Sequence, residues 1–283
     1  SLSKASGGVN ASLSSISMRG LYPNAQLLTP WEPNRKRFNM PDCQLSIVIP
    51  AYNEAQRIGP TLDRVFAWLD TQSFGPSSEV IVVDDGSKDA TVALCESRIR
   101  AEARLRVVCN ETNRGKGYSV SHGVRVSHGE QVLFSDADLS TPIEAYADLV
   151  KALETHDIAI GSRALPTSDL RKRQPLYREM MGRTFNLFVQ TLVFPGIRDT
   201  QCGFKLFRRK AALACFSRRK IDGFAFDVEV LYIARRLNLT VKECPVIWIN
   251  DEASRVDPIR HSLQMIRDIA KIRVLHRERD DNT

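Results

Sequence analysis

Three short segments concentrate the residue types that can do polar chemistry: Pro50–Glu54 (PAYNE), Asp84–Asp89 (DDGSKD) and Asp136–Ser140 (DADLS). In the last, Asp136 and Asp138 are separated only by the small Ala137, a DxD pattern that offers hard oxygen ligands to Mg2+ or Mn2+ and leaves other positions of the ion for phosphate oxygens. In DDGSKD the paired carboxylates of Asp84 and Asp85 can accept hydrogen bonds from an imide N–H or from ribose hydroxyls, whereas a phosphate would be repelled. Gly86 and Ser87 then permit a sharp turn, and Asp89 can cap the helix that follows. In PAYNE, Asn53 can cap a helix while Glu54 faces a cleft. Lys116 stands between two glycines in NRGKGYSV (Asn113–Val120), where the backbone can come close to a diphosphate or to an acid of the same site.

The spacing of apolar residues predicts the elements that carry these loops. Leu45–Ile49, Glu79–Val83, Arg106–Cys109, Gln131–Ser135 and Asp157–Ile160 are short β-branched runs that read as buried strands. Between them, 58–69, 89–103, 118–127 and 143–154 carry apolar residues at helical spacing. Strands alternating with helices predict an α/β fold, a Rossmann-like, mostly parallel sheet flanked by helices with right-handed connections. In such sheets ligands sit beyond the carboxyl ends of the strands, where the three acidic segments fall.

Composition narrows the class further. With 283 residues, 43% hydrophobic and 26% charged, the chain can bury a sizeable core and is neither disordered nor fibrous. The six cysteines (Cys43, Cys95, Cys109, Cys202, Cys215, Cys244) show no CxxC pair or zinc-ligand spacing and are expected as reduced thiols. Charge is uneven: 16 basic against 19 acidic residues up to position 160, then 24 against 14, or net −3 and +10. The second half is therefore expected to face something anionic. Residues 1–42 show no sustained period and read as an arm, followed by a nucleotide-binding part (43–160) and an acceptor-binding part (161–283). The segment Ser1–Gly8 reads as a vector-derived or processed end, which leaves an upstream anchor open.

PAYNE, VDDGSKD, NRGKGYSV, DADLS, GSR (Gly161–Arg163), DTQCGFKLF (Asp199–Phe207) and FDVE (Phe226–Glu229), in this order, resemble the family-2 glycosyltransferases of the GT-A fold. More narrowly they resemble polyprenyl-phosphate glycosyltransferases, and the DTQCGFKLF and GFAFDVE segments the dolichyl-phosphate β-glucosyltransferase branch. The resemblance implies an inverting, metal-dependent transfer of glucose from UDP-glucose to a polyprenyl (dolichyl-type) phosphate at the cytoplasmic face of a membrane. It assigns Pro50, Tyr52, Glu54 and either Asp84 or Asp85 to the nucleoside, and Asp136 and Asp138, with Ala137 between them, to metal and diphosphate. Ser140 departs from the Gln that mannosyl members commonly place there to help hold the metal.

On the acceptor side, a phosphomonoester is already a good nucleophile at neutral pH, so cations that hold it in line matter more than a strong base. Arg163, Arg178, Arg183, Lys205 and Arg255 are the candidates for that cradle, because arginine's planar fork binds phosphate oxygens in pairs. Asp199 and Asp227 are candidate catalytic acids, able to accept from sugar hydroxyls or to act as a base, with Asp199 favoured for the sugar. Gln201 and Lys205 lie on the same stretch as Asp199 and are expected near the nucleotide sugar. Phe204, Phe207, Phe224 and Phe226 are expected in the core.

No window reaches the run of apolar residues that a membrane span requires; the longest candidate, Phe185–Ile197, is short and interrupted by polar residues. A soluble or peripheral protein is expected. Two amphipathic stretches, Tyr177–Phe194 and Pro258–His276, read equally as interfacial helices or as helices packed on a core. Another hexose, or a soluble acceptor, fits the same motifs. A nucleic-acid-binding module is disfavoured because three acidic loops repel a polyanion.

Overall fold

The computed structural model describes residues 43–172, 189–190, 195–249 and 258–277, with side chains of the last segment from 265 onward. The expected arm (1–42), most of the amphipathic stretch Tyr177–Phe194, and the candidates Arg178, Arg183 and Arg255 lie outside the described residues.

The predicted strands and helices form with their ends moved by a few residues. β1 is Leu45–Ala51, α1 Ile58–Asp70, β2 Ser78–Asp84, α2 Thr91–Ile99, β3 Leu105–Cys109, α3 Lys116–Val126, β4 Gln131–Ser135, α4 Tyr146–Leu153 and β5 Ile158–Ser162. The second half adds β6 (Asp169–Lys172), β7 (Phe204–Arg208), α5 (Arg209–Arg218), α6 (Phe226–Arg236), β8 (Val241–Pro245), β9 (Ile247–Ile249) and α7 (Pro258–Leu275). Seven strands join in the order β3-β2-β1-β4-β7-β5-β8, and β6 pairs with β9 in a separate ribbon. Within the large sheet β7 alone runs antiparallel, between β4 and β5. Its FKLF core is too short, and too interrupted by Lys205, to stand out as a strand in sequence.

Helices cover both faces of the sheet, so its strands alternate between two cores. Ile47, Ile49, Leu133, Phe204 and Leu206 face α1 and α4 in one core; Val48, Phe134 and Phe207 face α3, α5, α6 and α7 in the other. Phe204, Phe207 and Phe226 are buried as expected, and Phe224 is half-buried. Strand alternation on β7 places Lys205 on the Phe207 side, beneath α6. The order of the strands reverses at β1, with β2 and β3 to one side and β4 to the other, a switch point at which α/β sheets open a crevice.

All six cysteines are free, and Cys109 is the exposed one. Burial pushes the Cys95 thiol up to about 12 and Cys202 up to about 11, keeping both protonated and inert. No helix among the described residues is long and apolar enough to cross a membrane. In α7 the two readings of an amphipathic helix divide between faces: Ile269 and Ile272 enter the core, while Ile266, Ala270 and Val274 are exposed.

Candidate functional site

Each acidic segment leaves the carboxyl end of its strand: PAYNE from β1, DDGSKD from β2 and DADLS from β4. Two strand spacings, about 10 Å, separate the loop after β2 from the loop after β4.

The first two loops are stitched together. Asn53, with φ of 55°, does not cap α1; its Oδ1 accepts from Lys88 N at 2.8 Å and its own N–H donates to Ser87 Oγ at 2.8 Å. Asp89 does not occupy the N-cap of α2, which is Ala90; from one residue earlier it accepts from Thr91 N at 3.0 Å, and its second oxygen accepts from Ala55 N at 3.1 Å. Glu54 is engaged by the Arg57 fork at 2.5 and 2.7 Å, which neutralises its charge beside the cleft. Tyr52 is exposed at the strand end, and Pro50 is half-buried on β1.

Asp84 and Asp85 have different tasks. Asp85 accepts from Asn110 Nδ2, Arg114 N and Gly115 N at 2.8–2.9 Å, so both its oxygens hold the glycine loop that bears Lys116. Asp84 Oδ2 accepts from Gly86 N and Ser87 N, closing a turn in which Gly86 has φ of 74°. Its Oδ1 is buried without a partner among the described residues. An orphaned buried acceptor costs about 1–3 kcal/mol and is satisfied by an arriving N–H or O–H.

DADLS lies at the centre of a charge cluster. Lys116 Nζ pairs with Asp136 Oδ1 at 2.7 Å. Behind them, Lys205, almost fully buried, donates to Asp227 Oδ1 at 2.5 Å and to Cys202 O at 2.6 Å. Both ammonium groups lie over the Phe134 ring, at 5.2 and 5.6 Å from its centroid. Arg163 grips Asp199 with Nε at 2.7 Å and Nη2 at 2.8 Å, and adds its backbone N–H at 2.9 Å. Four carboxylates (Asp136, Asp138, Asp199, Asp227) and three cations (Lys116, Lys205, Arg163) sum to a formal −1.

Proton affinities follow from this packing. Burial pushes Asp138 up, and the neighbouring Asp136 adds to it. Burial also raises Asp227, against the pull of Lys205 and Lys116. Burial opposes the charge on Lys116, but Asp136 and Asp227 outweigh it and hold the ammonium above its usual range. Asp199 goes the other way: burial favours its neutral form, yet Arg163 prevails and brings it down to about 2.

These contacts revise several expected roles. Asp199 was expected to accept from the sugar or to serve as a base, but its oxygens are committed to Arg163 and it is too acidic to take a proton. Lys205 was expected in the phosphate cradle, but burial and its bond to Asp227 leave its ammonium inside the protein. The Gln201 amide touches Met265 Sδ at 3.7 Å, on α7. Ala137 contributes its carbonyl to Thr61 Oγ1 at 2.6 Å, tying the loop to α1. Of the two described cradle candidates, Arg163 is the one displayed: it is partly exposed, lies 5.6 Å from the Trp248 ring centroid, and its Nη1 has no hydrogen-bond partner among the described residues.

Sequence reasoning missed Gly203 and Glu243. A Cβ on Gly203 would fall 1.8 Å from Asp136 Oδ2, so the glycine makes the room in which that carboxylate lies. Glu243 on β8 accepts from Arg198 N at 2.9 Å and Asp199 N at 3.0 Å, bracing the Arg163–Asp199 pair from behind. Gly203 lies within the DTQCGFKLF segment but nothing in its type points to Asp136, and Glu243 carries no signal, because each acts on a chain segment that only folding brings near.

Among the described residues no group of three or more His, Cys, Asp or Glu could hold a metal by itself. The donors that fit a divalent ion are Asp136 and Asp138, hard oxygens in a cluster with excess negative charge, where burial and like charge already penalise Asp138. Ser140 N supports Asp138 Oδ1 at 2.9 Å.

The sequence profile of glycosyl transferase family 2 matches residues 46–216. The chain belongs to this family. It is 41% identical over 244 residues to a Drosophila melanogaster protein named dolichyl-phosphate beta-glucosyltransferase, covering 82% of this chain and 75% of that protein. Proteins of the same name from Dictyostelium discoideum (40% over 240 residues, 81% and 73% covered) and Homo sapiens (38% over 249 residues, 84% and 77%) are similar along the same region. Among solved structures, mannosyl-3-phosphoglycerate synthase from Rubrobacter xylanophilus superposes with a TM-score of 0.64 at 22% identity, over 88% of this chain and 79% of its own. Glucosyl-3-phosphoglycerate synthase from Mycobacterium tuberculosis gives 0.58 at 22%, over 84% and 82%. The shared architecture is the GT-A fold, and the chain is a glycosyltransferase.

Gly203→Ala pushes Asp136 out of its place, and because a misplacement of about 1 Å costs on the order of 100-fold, glycosyl transfer should fall at least that far while circular dichroism stays unchanged. Transfer within a few-fold of the parent would show that Asp136 need not lie where it does.

Proposed function

We propose that this glycosyltransferase moves glucose, with inversion, from UDP-glucose to the phosphate of a dolichyl-type lipid, and that it needs Mg2+ or Mn2+. The observation that carries the reading is the cluster around Lys116 and Asp136, one charge short of neutral and two strand spacings from the orphaned oxygen of Asp84. The names of its relatives, over more than four-fifths of the chain, support the choice of sugar and acceptor.

The geometry supports the following roles. Asp84 Oδ1 accepts the imide N–H of uracil, and Tyr52 offers a face to the base. Asp136 and Asp138 would hold the divalent ion, which when bound would supply charge neutralisation to the departing diphosphate. Lys116, fixed at the first turn of α3, presents its ammonium to the same oxygens. Asp227 and Lys205 hold the field behind Lys116 and touch no substrate.

The acceptor phosphate is already an anion, so no strong base is required. Arg163, immobilised by Asp199 and the Trp248 ring, aims Nη1 at the phosphate and orients an oxygen for attack. A bond forms between that oxygen and the anomeric carbon on the face opposite UDP. The bond from that carbon to the diphosphate breaks, and its electrons leave with UDP.

A peripheral position at a membrane, on the cytoplasmic side, completes the proposal. On α7 the exposed Ile266, Ala270 and Val274 recur every four residues and are flanked by the exposed cations Arg267, Lys271 and Arg273, with Arg277 just past the helix end. Each cation near an anionic surface contributes about 1 kcal/mol.

Three measurements test these roles. Asp138→Ala should lower metal-dependent turnover by about two to three orders of magnitude without loss of fold, and chelation of the parent should do the same until Mn2+ is restored; normal turnover would remove the metal from the scheme. Arg163→Ala should raise the KM for the lipid phosphate by about tenfold or more with UDP affinity unchanged, whereas an equal loss of UDP binding would move Arg163 to the donor side. Ile266→Glu with Val274→Glu should abolish flotation with phosphatidylserine-rich vesicles, and undiminished flotation would place the membrane contact elsewhere.

A further inference from the structure

Glu229 takes no part in the reaction as proposed, yet it is wholly buried and both its oxygens are engaged. Oε1 accepts from Lys220 N at 2.8 Å and from His276 Nε2 at 2.7 Å; Oε2 accepts from Ile221 N at 2.9 Å. Removing water from a carboxylate is costly unless several donors replace it, so three donors converging on one acid make a rigid joint. The joint ties together α6, which carries Glu229, the loop 219–223, and the turn just past the end of α7, which carries His276. Lys220 Nζ closes it from the other side by donating to Leu275 O at 2.7 Å.

Loop 219–223 in turn bears on both glycines that flank Lys116. Asp222 O accepts from Tyr118 N at 3.2 Å, and a Cβ on Gly115, whose φ is 103°, would lie 2.6 Å from that same oxygen. A Cβ on Gly117 would lie 2.8 Å from Ile221 O and 2.6 Å from Phe226 Cβ. The backbone on either side of Lys116 thus rests against a loop whose position is set by Glu229. Lys116 reaches Asp136 from that footing.

We propose that Glu229 is a positioning residue for Lys116, and that His276 makes the docked end of α7 part of the device that aims the ammonium at Asp136. The proposal rests on the donor-side role assigned to Lys116 above. Partners at this remove from a metal or phosphate site set its geometry, and their loss costs about 10–100-fold in affinity or activity.

Four variants of the full chain and two readouts test it. Glu229→Gln keeps the volume but turns an N–H toward one of the donors. His276→Leu removes the donor, and His276→Gln returns a side-chain N–H. Glu229→Gln and His276→Leu should raise the KM for UDP-glucose with Mn2+ by about tenfold or more while the KM for the lipid phosphate stays within about twofold, and His276→Gln should recover most of the loss. Should Glu229→Gln not fold, His276→Leu carries the test. Hydrogen exchange by mass spectrometry reads the same coupling without a substrate: peptides over 113–120 should exchange faster in Glu229→Gln and His276→Leu, and those over β1 and β2 should not. Unchanged exchange over 113–120 in a folded variant overturns the proposal, as does a KM that rises equally for both substrates. A parent that turns over no UDP-sugar refutes the functional reading instead, and the exchange measurement then decides the positioning role alone. Lys220→Met, which removes the outer contact to Leu275 only, should show a smaller change of the same kind; an effect larger than that of Glu229→Gln would transfer the role to Lys220.

Discussion

The ion pair between Lys116 and Asp136 is the contact on which the rest of the site depends. Four acids and three cations packed behind a strand edge leave one uncompensated negative charge, and a cluster of that kind is stable only if each member is held by a neighbour. Lys116 links the two halves of the arrangement. Asp136 and Asp138 are pushed together on the solvent side, and Asp227 with Lys205 lies inside. A divalent ion held there, as proposed, would reverse the sign of the cluster and make it a receptor for phosphate oxygens.

The fold holds this cluster in place with backbone and glycine contacts as much as with salt bridges. Gly203 lets β7's approach lie against Asp136; Asp85 commits both its oxygens to the loop bearing Lys116; Glu229 anchors the loop beneath that one. The antiparallel β7 inserted between β4 and β5 is the structural device that matters most. It places Lys205 under α6, where Asp227 can meet it, and joins the donor half of the sheet to the half that carries Arg163. Arg163 is held by Asp199, whose backbone N–H is in turn bound by Glu243, so its Nη1 is fixed in place before any ligand arrives. Preorganisation of this kind would avoid the cost of ordering a long side chain if, as proposed, a phosphate binds there.

α7 shows how one amphipathic helix can have two apolar faces. Ile269 and Ile272 are consumed by the core, and Ile266, Ala270 and Val274 remain outside among cations. Hydrophobic periodicity sees a single broad stripe and has no means of dividing it, since the division depends on which neighbours the helix meets.

Much of the protein was legible from residue types alone. Short β-branched runs alternating with helical patterns determine a parallel α/β sheet, because a strand buried on both faces has few other solutions, and acidic turns at strand ends mark where a ligand meets it. The order of the motifs was enough to indicate the family. Folding decided which acid does what. Asp84 and Asp85 are adjacent and identical in type, yet one keeps an unpartnered oxygen among the described residues and the other is saturated by one side-chain and two backbone donors brought from 25 to 30 residues away. Asp199 and Asp227 both follow hydrophobic-rich segments, yet a facing arginine drives one carboxyl down while burial drives the other up. Charge state and role depend on which groups share a few ångströms of low-dielectric space, and that proximity is created by the tertiary fold, not by spacing along the chain.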